Sequence, residues 1–166
     1  MLNIKTITKL AFVASIYVVT TVWNPFSYDA IQFRISEILI LLCFYRKEYA
    51  YALTLGCFIA NIFSPLGVYD MVFGTLATVL SCFFMVRCKN LFVASLFPVV
   101  FNAMIVGLEL HYLIKLDLAA SMVSVALGEF AVVSILGVMV FQRLSRNASF
   151  MKLIEANQNC EKDICE

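Results

Sequence analysis

The sequence predicts an all-α integral membrane protein, built as a bundle of six transmembrane helices. This prediction rests on the composition, on six separate apolar stretches, and on the distribution of positive charge between them. The 166 residues are 63% hydrophobic and only 14% charged, with a mean hydropathy of +0.93. Soluble domains are about 45–50% apolar and about 25% charged. We therefore expect the chain to lie in a lipid bilayer. Six crossings of about 20 residues each leave no length for a separate catalytic domain.

Residues that end helices separate the apolar stretches. The first stretch ends in the turn-rich segment 24–29, the third ends at the Ser-Pro-Leu-Gly cluster 64–67, and the fourth ends at the basic segment 87–89. Pro98 lies inside the fifth stretch, where neighbouring helices can satisfy the freed carbonyl group, so we expect a kink and not a break. The six predicted crossings are residues 8–23, 31–45, 49–63, 70–86, 91–114 and 121–141.

Positive charge predicts how the helices thread the bilayer, because Lys and Arg accumulate in cytoplasmic connections. Four alternate connections are basic and the other three have no cationic excess, so both termini are expected in the cytoplasm. Residues 1–146 form the predicted transmembrane domain. Residues 147–166 form a short cytoplasmic tail of mixed charge, expected to be solvated or frayed.

The net charge of +1 gives no basic surface of the kind that binds nucleic acid. The basic residues that set this orientation are Lys5, Lys9, Arg46, Lys47, Arg87, Lys89, Arg143, Arg146 and Lys152.

Polar and ionisable side chains fall in the outer half of the predicted bundle, whereas the inner half is almost purely apolar. An ionisable group inside a bilayer costs at least a few kcal/mol, so each one is a candidate for function. No polar path crosses the bundle, as a channel or a self-contained carrier needs, and the sequence contains no phosphate-binding loop. The pattern predicts an outward-facing binding pocket in a transporter subunit that takes its energy from a partner. The candidate residues are Arg34, Glu37, Asn61, Asp70, Glu109 and Glu129 in the outer half, and Asn102, which lies nearer the middle on the same helix face as Glu109.

Some of these residues also have purely structural interpretations. Arg34 and Glu37 are three residues apart on one helix and can neutralise each other. Asp70 follows a helix-breaking cluster and can be an N-cap. Glu109 and His111 are two residues apart and point to different faces of a helix, so we predict neither a metal site nor a cofactor.

Aromatic side chains gather where the predicted helices reach the outer interface. An aromatic belt at the membrane surface explains them, and a stacking platform for a flat ligand is the functional alternative. They are Trp23, Tyr28, Phe33, Tyr69 and Tyr112.

Four short strings occur in order along the chain. They are QFRISE at 32–37, NIFSPLG at 61–67 with Asp70 shortly after, FNA at 101–103 leading to GLE at 107–109, and GE at 128–129. Together they resemble the QueT family, over about residues 5–143. Members of this family are substrate-binding (S) subunits of energy-coupling factor (ECF) transporters, assigned to the uptake of queuosine precursors. The resemblance implies a non-catalytic, six-helix S component in the bacterial plasma membrane.

The resemblance also implies partners. Such subunits capture a 7-deazaguanine from outside with high affinity, and deliver it through a transmembrane T subunit and two cytosolic ATPases while toppling in the membrane. In S subunits an Ala-x-x-x-Ala face of the first helix docks on the T subunit. Ala11 and Ser15 stand at that spacing here.

Ligand chemistry connects this resemblance with the candidate residues. A 7-deazaguanine such as preQ1 or preQ0 presents a ring N–H and an exocyclic amine beside a carbonyl, on a flat ring. A carboxylate matches the two donors, an amide or Arg meets the carbonyl, and an aromatic ring stacks on the face. The expected contacts are Glu129 or Glu109 to the guanine-like edge, Asn102 or Asn61 to the carbonyl, Glu37 or Asp70 to an aminomethyl group, and Phe33, Tyr69 or Trp23 on the ring.

Three other functions stay open at this point. Acidic pocket residues specify a donor-rich ligand without naming it, so an S subunit for another small heterocycle or vitamin fits the same residues. An integral-membrane enzyme would use Glu109, His111 and Glu129 as acid–base groups, although no nucleophile or metal cluster accompanies them. In a structural protein, the polar side chains would only join helices.

Overall fold

The structure is a computed structural model that describes residues 3–28 and 33–159, and these ranges contain helices and no strand. A single 3-10 turn, Pro25–Tyr28, follows the first helix. The predicted start of the second crossing at residue 31 lies outside the described residues, as do Asp29, Gln32 and segment 160–166. The helices are α1 (Ile4–Trp23), α2 (Ile35–Tyr45), α3 (Tyr49–Asn61), α4 (Val68–Met85), α5 (Leu91–Ile114), α6 (Leu118–Leu144) and α7 (Ala148–Leu153).

Four of these helices, α1, α4, α5 and α6, are long and apolar enough to cross a membrane. The prediction of an all-α membrane protein is therefore confirmed. α2 and α3 are apolar but shorter. The 13 residues of α3 span about 20 Å, against a hydrocarbon thickness of about 30 Å. α5 has the predicted bounds and continues through Pro98 without a break.

Small residues allow the helices to approach closely. α5 packs between α4 and α6, and α3 packs between α1 and α4. A Cβ atom on Gly56 would lie 3.2 Å from the Ala14 carbonyl oxygen of α1, and one on Gly107 would lie 2.8 Å from Met122 Cγ of α6. Gly56 and Gly107 therefore lie where neighbouring helices approach closely, as small residues do in membrane bundles.

Two helices depart from α-helical geometry next to candidate residues. The first seven residues of α2, Ile35–Leu41, form a 3-10 helix that contains Glu37. In α6, the π-helical segment Phe130–Gly137 begins directly after Glu129. Long 3-10 runs and π segments are uncommon and are often found at functional sites.

The tail folds back onto the bundle, so the expectation of a frayed tail is wrong for residues 147–159. Asn147 caps α7, accepting from the Ser149 and Phe150 backbone N–H groups, and Met151 and Ile154 are buried. The Tyr49 hydroxyl donates to the Ile154 carbonyl oxygen at 3.1 Å. We call the end of the bundle that this segment covers the tail end.

Candidate functional site

All seven polar residues singled out in the sequence are buried, and they form one connected group, which we call the polar cluster. Each is at most 5% exposed. The ends of α3 and α5 and the beginnings of α2 and α4 supply most of them, away from the tail end, so the alternation of helix directions brings them together. The polar cluster comprises Arg34, Glu37, Asn61, Asp70, Asn102, Glu109 and Glu129.

Arg34 is held at the centre of the polar cluster by neutral oxygens. Its Nη2 donates to Asn61 Oδ1 at 3.1 Å, and its Nε donates to the Ser27 carbonyl oxygen at 3.0 Å. The guanidinium also lies 5.7 Å from the centroid of the Tyr28 ring. Asn61 in turn donates to the Asp70 carbonyl oxygen at 2.9 Å. Arg34 thus joins α2 to α3, and Asn61 joins α3 to α4.

Gly74 makes room for this arrangement. A Cβ atom at position 74 would lie 2.6 Å from Asn61 Nδ2 and 3.8 Å from Arg34 Nη1. A contact under 3 Å to a Cβ requires the neighbouring atom to move, so a side chain here would displace the amide that positions Arg34. Asn61 and Arg34 can therefore take these positions because residue 74 of α4 is a glycine.

Two carboxylates lie deeper in the bundle, each with one neutral donor. The Tyr17 hydroxyl donates to Glu37 Oε1 at 2.5 Å, and Asn102 Nδ2 donates to Glu129 Oε1 at 2.9 Å. Glu37 and Glu129 are also close enough to each other to interact electrostatically. In the described residues neither Glu37 Oε2 nor Glu129 Oε2 has a hydrogen-bond partner.

Asp70 and Glu109 form a second carboxylate pair nearer the end of the bundle. Their carboxyl groups face each other. Ser64 donates to Asp70 Oδ2, whereas no described N–H or hydroxyl group donates to Asp70 Oδ1 or to either oxygen of Glu109, so a proton shared with the facing carboxyl group is the hydrogen bond left to this pair. Two facing carboxylates need a proton or a positive charge between them.

The polar cluster therefore has more acceptors, and more acidic groups, than its own residues satisfy. No N–H or hydroxyl group among the described residues donates to five of the buried carboxylate oxygens. Arg34 is the cation that interacts with all four carboxylates. An unsatisfied buried polar group costs roughly 1–3 kcal/mol. The arrangement is suited to a ligand that carries several hydrogen-bond donors and a positive charge.

The structure also tests the purely structural interpretations of single residues. Asp70 is not an N-cap, because α4 begins after Gly67, whose φ of 57° suits a residue without a side chain. Arg34 and Glu37 interact electrostatically but form no direct ion pair in the described ranges. His111 lies apart from the polar cluster, with Nδ1 2.7 Å from the Leu116 carbonyl oxygen. The described residues contain no group of ligands suited to a metal.

The three aromatic residues predicted to stack on a ligand lie at different depths. Trp23 and Tyr69 are 86% and 55% exposed, as residues of a membrane-interface belt are, while Phe33 is partly buried against the apolar core. Among the described residues, the aromatic side chains in contact with the polar cluster include Tyr17, through its hydroxyl group, and Tyr28, through its ring. A stacking role for Trp23, Tyr69 or Phe33 stays a prediction.

Several residues of the site were not anticipated from the sequence. Tyr17 is completely buried, and its place one turn before Thr21 on α1 was the available signal, since both face inward. Thr21 donates to Ser36 at 2.6 Å. The half of the bundle nearer the tail end is also less purely apolar than predicted, because Ser95 and Ser134 pair there at 3.1 Å between Oγ atoms.

Ala11 and Ser15 lie on the exposed outer face of α1. The Ser15 hydroxyl donates to the Ala11 carbonyl oxygen at 2.8 Å, so it presents a small surface without an unsatisfied donor. The large apolar residues on this helix that are exposed include Phe12 and Val19.

Comparison with known proteins gives a consistent result. The family model described as "QueT transporter" matches residues 7–146. The chain is 31% identical over 165 residues to the "Queuosine precursor transporter QueT" of Lactococcus lactis subsp. cremoris (strain MG1363), covering 88% of this chain and 95% of that protein. No solved structure matches the chain. The family match contains every residue of the polar cluster and most of the chain, so this protein belongs to the QueT transporter family.

Proposed function

We propose that this protein is the substrate-binding S subunit of an ECF-type importer, and that it captures a queuosine precursor from outside the cell. The observation that carries the proposal is the set of five buried carboxylate oxygens to which no described residue donates a hydrogen bond. The name of the Lactococcus lactis relative supports the ligand class. The subunit catalyses no reaction itself and binds neither metal nor nucleic acid.

The pairing of Glu129 with Asn102 supports a specific orientation of the base. Glu129 Oε2 is free to accept, and the Asn102 amide beside it has a second N–H to donate. A 7-deazaguanine edge offers two donors next to a carbonyl acceptor, which this pair complements. We assign Glu129 and Asn102 to the guanine-like edge, with Arg34 and Asn61 as the alternative contact for the carbonyl.

The facing pair Asp70 and Glu109 is assigned to the positive end of the ligand. An aminomethyl group carries an ammonium, which supplies three donors and the charge that two facing carboxylates need. Glu37 already accepts from Tyr17, so we give it the role of fixing the position of Arg34 electrostatically. The 7-aminomethyl form is therefore preferred over a neutral 7-cyano form.

The proposed topology has six crossings, with both termini in the cytoplasm. α2 and α3 would cross as shorter helices within the bundle, beside the four long ones. The basic residues at the tail end, among them Lys9, Arg46 and Arg87, support a cytoplasmic position for that end. The polar cluster then faces the outside.

Delivery of the ligand requires partners in this proposal. A T subunit would dock on the face of α1 that carries Ala11 and Ser15, and two ATPases would supply the energy. The exposure of both small residues supports this assignment, since close helix packing in membranes uses such residues.

Binding measurements on the purified subunit test the proposed function. Native mass spectrometry should detect a co-purified molecule with the mass of a deazaguanine, and titration with 7-aminomethyl-7-deazaguanine should give saturable binding that guanine and thiamine do not match. Glu129→Gln should lower the affinity tens- to thousands-fold, because loss of a buried charged partner costs about 2–5 kcal/mol.

Glu48→Gln is the matched control, since Glu48 pairs with Arg46 outside the polar cluster. The affinity of this variant for the deazaguanine should equal that of the unaltered protein. Saturable binding of a different heterocycle in place of the deazaguanine would contradict the proposed identity of the ligand. It would remain consistent with an S subunit. Failure of every small molecule to bind would contradict the proposed function.

A further inference from the structure

A groove of about 910 Å³ runs along the outside of the bundle between α3 and α4. Apolar side chains form its walls for most of its length, and five of them are large and exposed. The residues that line this groove and those of the polar cluster are different sets. The five side chains are Tyr51, Leu55, Phe58, Val79 and Phe83.

At the tail end, the groove is lined by the positive charges of Lys47 and Arg87. The Arg87 guanidinium lies 3.7 Å from the centroid of the Phe83 ring, and its Nη1 donates to the Phe83 carbonyl oxygen at 2.5 Å. Arg87 is therefore held at the mouth of the groove. Glu48 also lines the groove, but Arg46 Nε donates to it at 3.2 Å, which balances its charge. The mouth thus has a net positive charge.

The groove is open along the outside of the bundle, because the large apolar side chains that line it are exposed. Acyl chains fill such spaces in a bilayer, and basic pockets between membrane helices bind anionic head groups.

We propose that this groove is a binding site for one anionic phospholipid. An acyl chain lies along the apolar walls, and the phosphate lies between Lys47 and Arg87. The charge favours this occupant over an apolar partner helix, because such a helix would leave both cations without a counter-charge. The site is separate from the polar cluster and does not depend on the transported ligand.

Native mass spectrometry tests the head-group part of the proposal. The purified full chain is mixed with equal amounts of phosphatidylglycerol and phosphatidylcholine that have the same acyl chains. We expect retention of phosphatidylglycerol to exceed that of phosphatidylcholine on the order of tenfold, since each basic residue adds to the attraction. The double variant Lys47→Gln, Arg87→Gln should lose this preference. The double variant Arg143→Gln, Arg146→Gln removes two cations elsewhere and should keep it.

A second pair of variants tests the apolar part of the groove. Val79 lines the groove and Val140 lies on the outer face of α6, and both are 42% exposed. Val79→Trp should fill the groove and lower phosphatidylglycerol retention several-fold, whereas Val140→Trp should not change it. Thermal unfolding in detergent verifies that each variant is folded. Equal retention of the two lipids, a preference that survives the Lys47 and Arg87 changes, or equal effects of the two tryptophans would overturn the proposal.

Discussion

The polar cluster and the tail end of the bundle both contain charged groups, but they satisfy them in opposite ways. At the tail end, Glu155 accepts from Lys9 Nζ at 2.8 Å, from Thr6 at 3.3 Å, and from Arg46. In the polar cluster, Glu109 is buried, and no donor group in the described residues reaches either of its oxygens. Exposed, fully paired charges join parts of a fold at little cost. Buried carboxyl groups without donors destabilise a fold unless they take up protons or are completed by a group from outside the chain, and the second possibility is the one that a binding site uses.

The largest effect is expected from removing the central cation of the polar cluster. Arg34→Gln leaves the buried carboxylates around it without compensation, and breaking a buried charge arrangement costs about 3–5 kcal/mol. Thermal or chemical unfolding in detergent should show this loss, and adding Asp70→Asn to the same chain should restore part of the stability. Lys9→Gln, which removes a cation at the tail end, should cost less than about 1 kcal/mol. Equal losses for Arg34→Gln and Lys9→Gln would remove the contrast between the two regions.

A smaller effect is expected from filling the space beside Asn61. Gly74→Ala places a Cβ where Asn61 Nδ2 now lies, so the amide must shift, at a cost of about 1–3 kcal/mol. Ligand affinity measured by calorimetry should fall at least tenfold. Gly137→Ala is the matched control, because its Cβ would lie 2.9 Å from a flexible Leu41 methyl group in the apolar core. It should lower stability with ligand affinity unchanged; the opposite ranking of the two affinities would contradict the role of Gly74.

The tail contact should contribute a modest stability that is independent of the ligand. Glu155→Gln weakens the contacts to Lys9 and Arg46, and we expect a loss below about 1 kcal/mol because Glu155 is partly exposed. The loss should shrink at high salt, where exposed ion pairs are screened. Ligand affinity should stay the same. A loss of affinity in Glu155→Gln would show that the tail end and the polar cluster are coupled.

The smallest effect is expected in how the stability from the Glu155 contact changes with pH. Hydrogen bonds from Lys9 and then Arg46 lower the pKa of the Glu155 carboxyl to about 2. Its pKa in the unfolded chain is about 4.3. The stabilisation is therefore fully present above about pH 4.3 and is lost as the pH falls towards 2. Between pH 5 and 3, unfolding measurements should show a steeper loss for the unaltered protein than for Glu155→Gln. Parallel curves of stability against pH for the two proteins would contradict a stabilising contribution from this contact.

Much of the site could be predicted from the sequence because polar residues are costly in apolar helices. Asn61 ends one helix and Asp70 begins the next, so the turn between them brings both to the same end of the bundle. Glu109 ends an antiparallel neighbour and joins them there. Burial of a carboxylate in an apolar helix needs a reason, and this made Glu129 a candidate without any knowledge of its partner.

The remaining features depend on contacts that sequence patterns do not encode. The direction of Trp23 and Tyr69 away from the bundle is set by helix rotation, which uniformly apolar helices leave open. The 3-10 geometry at the start of α2 has no simple residue signal. The folded tail depends on contacts between residues more than 100 positions apart, such as Tyr49 with Ile154, and its mixed charges suggested only solvent exposure.

The unfolding temperature of Glu109→Gln, measured with and without 7-aminomethyl-7-deazaguanine, tests the central claim most directly. No donor in the described structure reaches either Glu109 oxygen, and the Asp70 carboxyl group faces them, so replacing Glu109 by a neutral amide should leave the unliganded protein as stable as before or more stable. The ligand should raise the unfolding temperature of the unaltered protein and that of Glu109→Gln much less. A lower unfolding temperature without ligand, together with an undiminished shift on adding it, would mean that the carboxylate serves the fold and not the ligand.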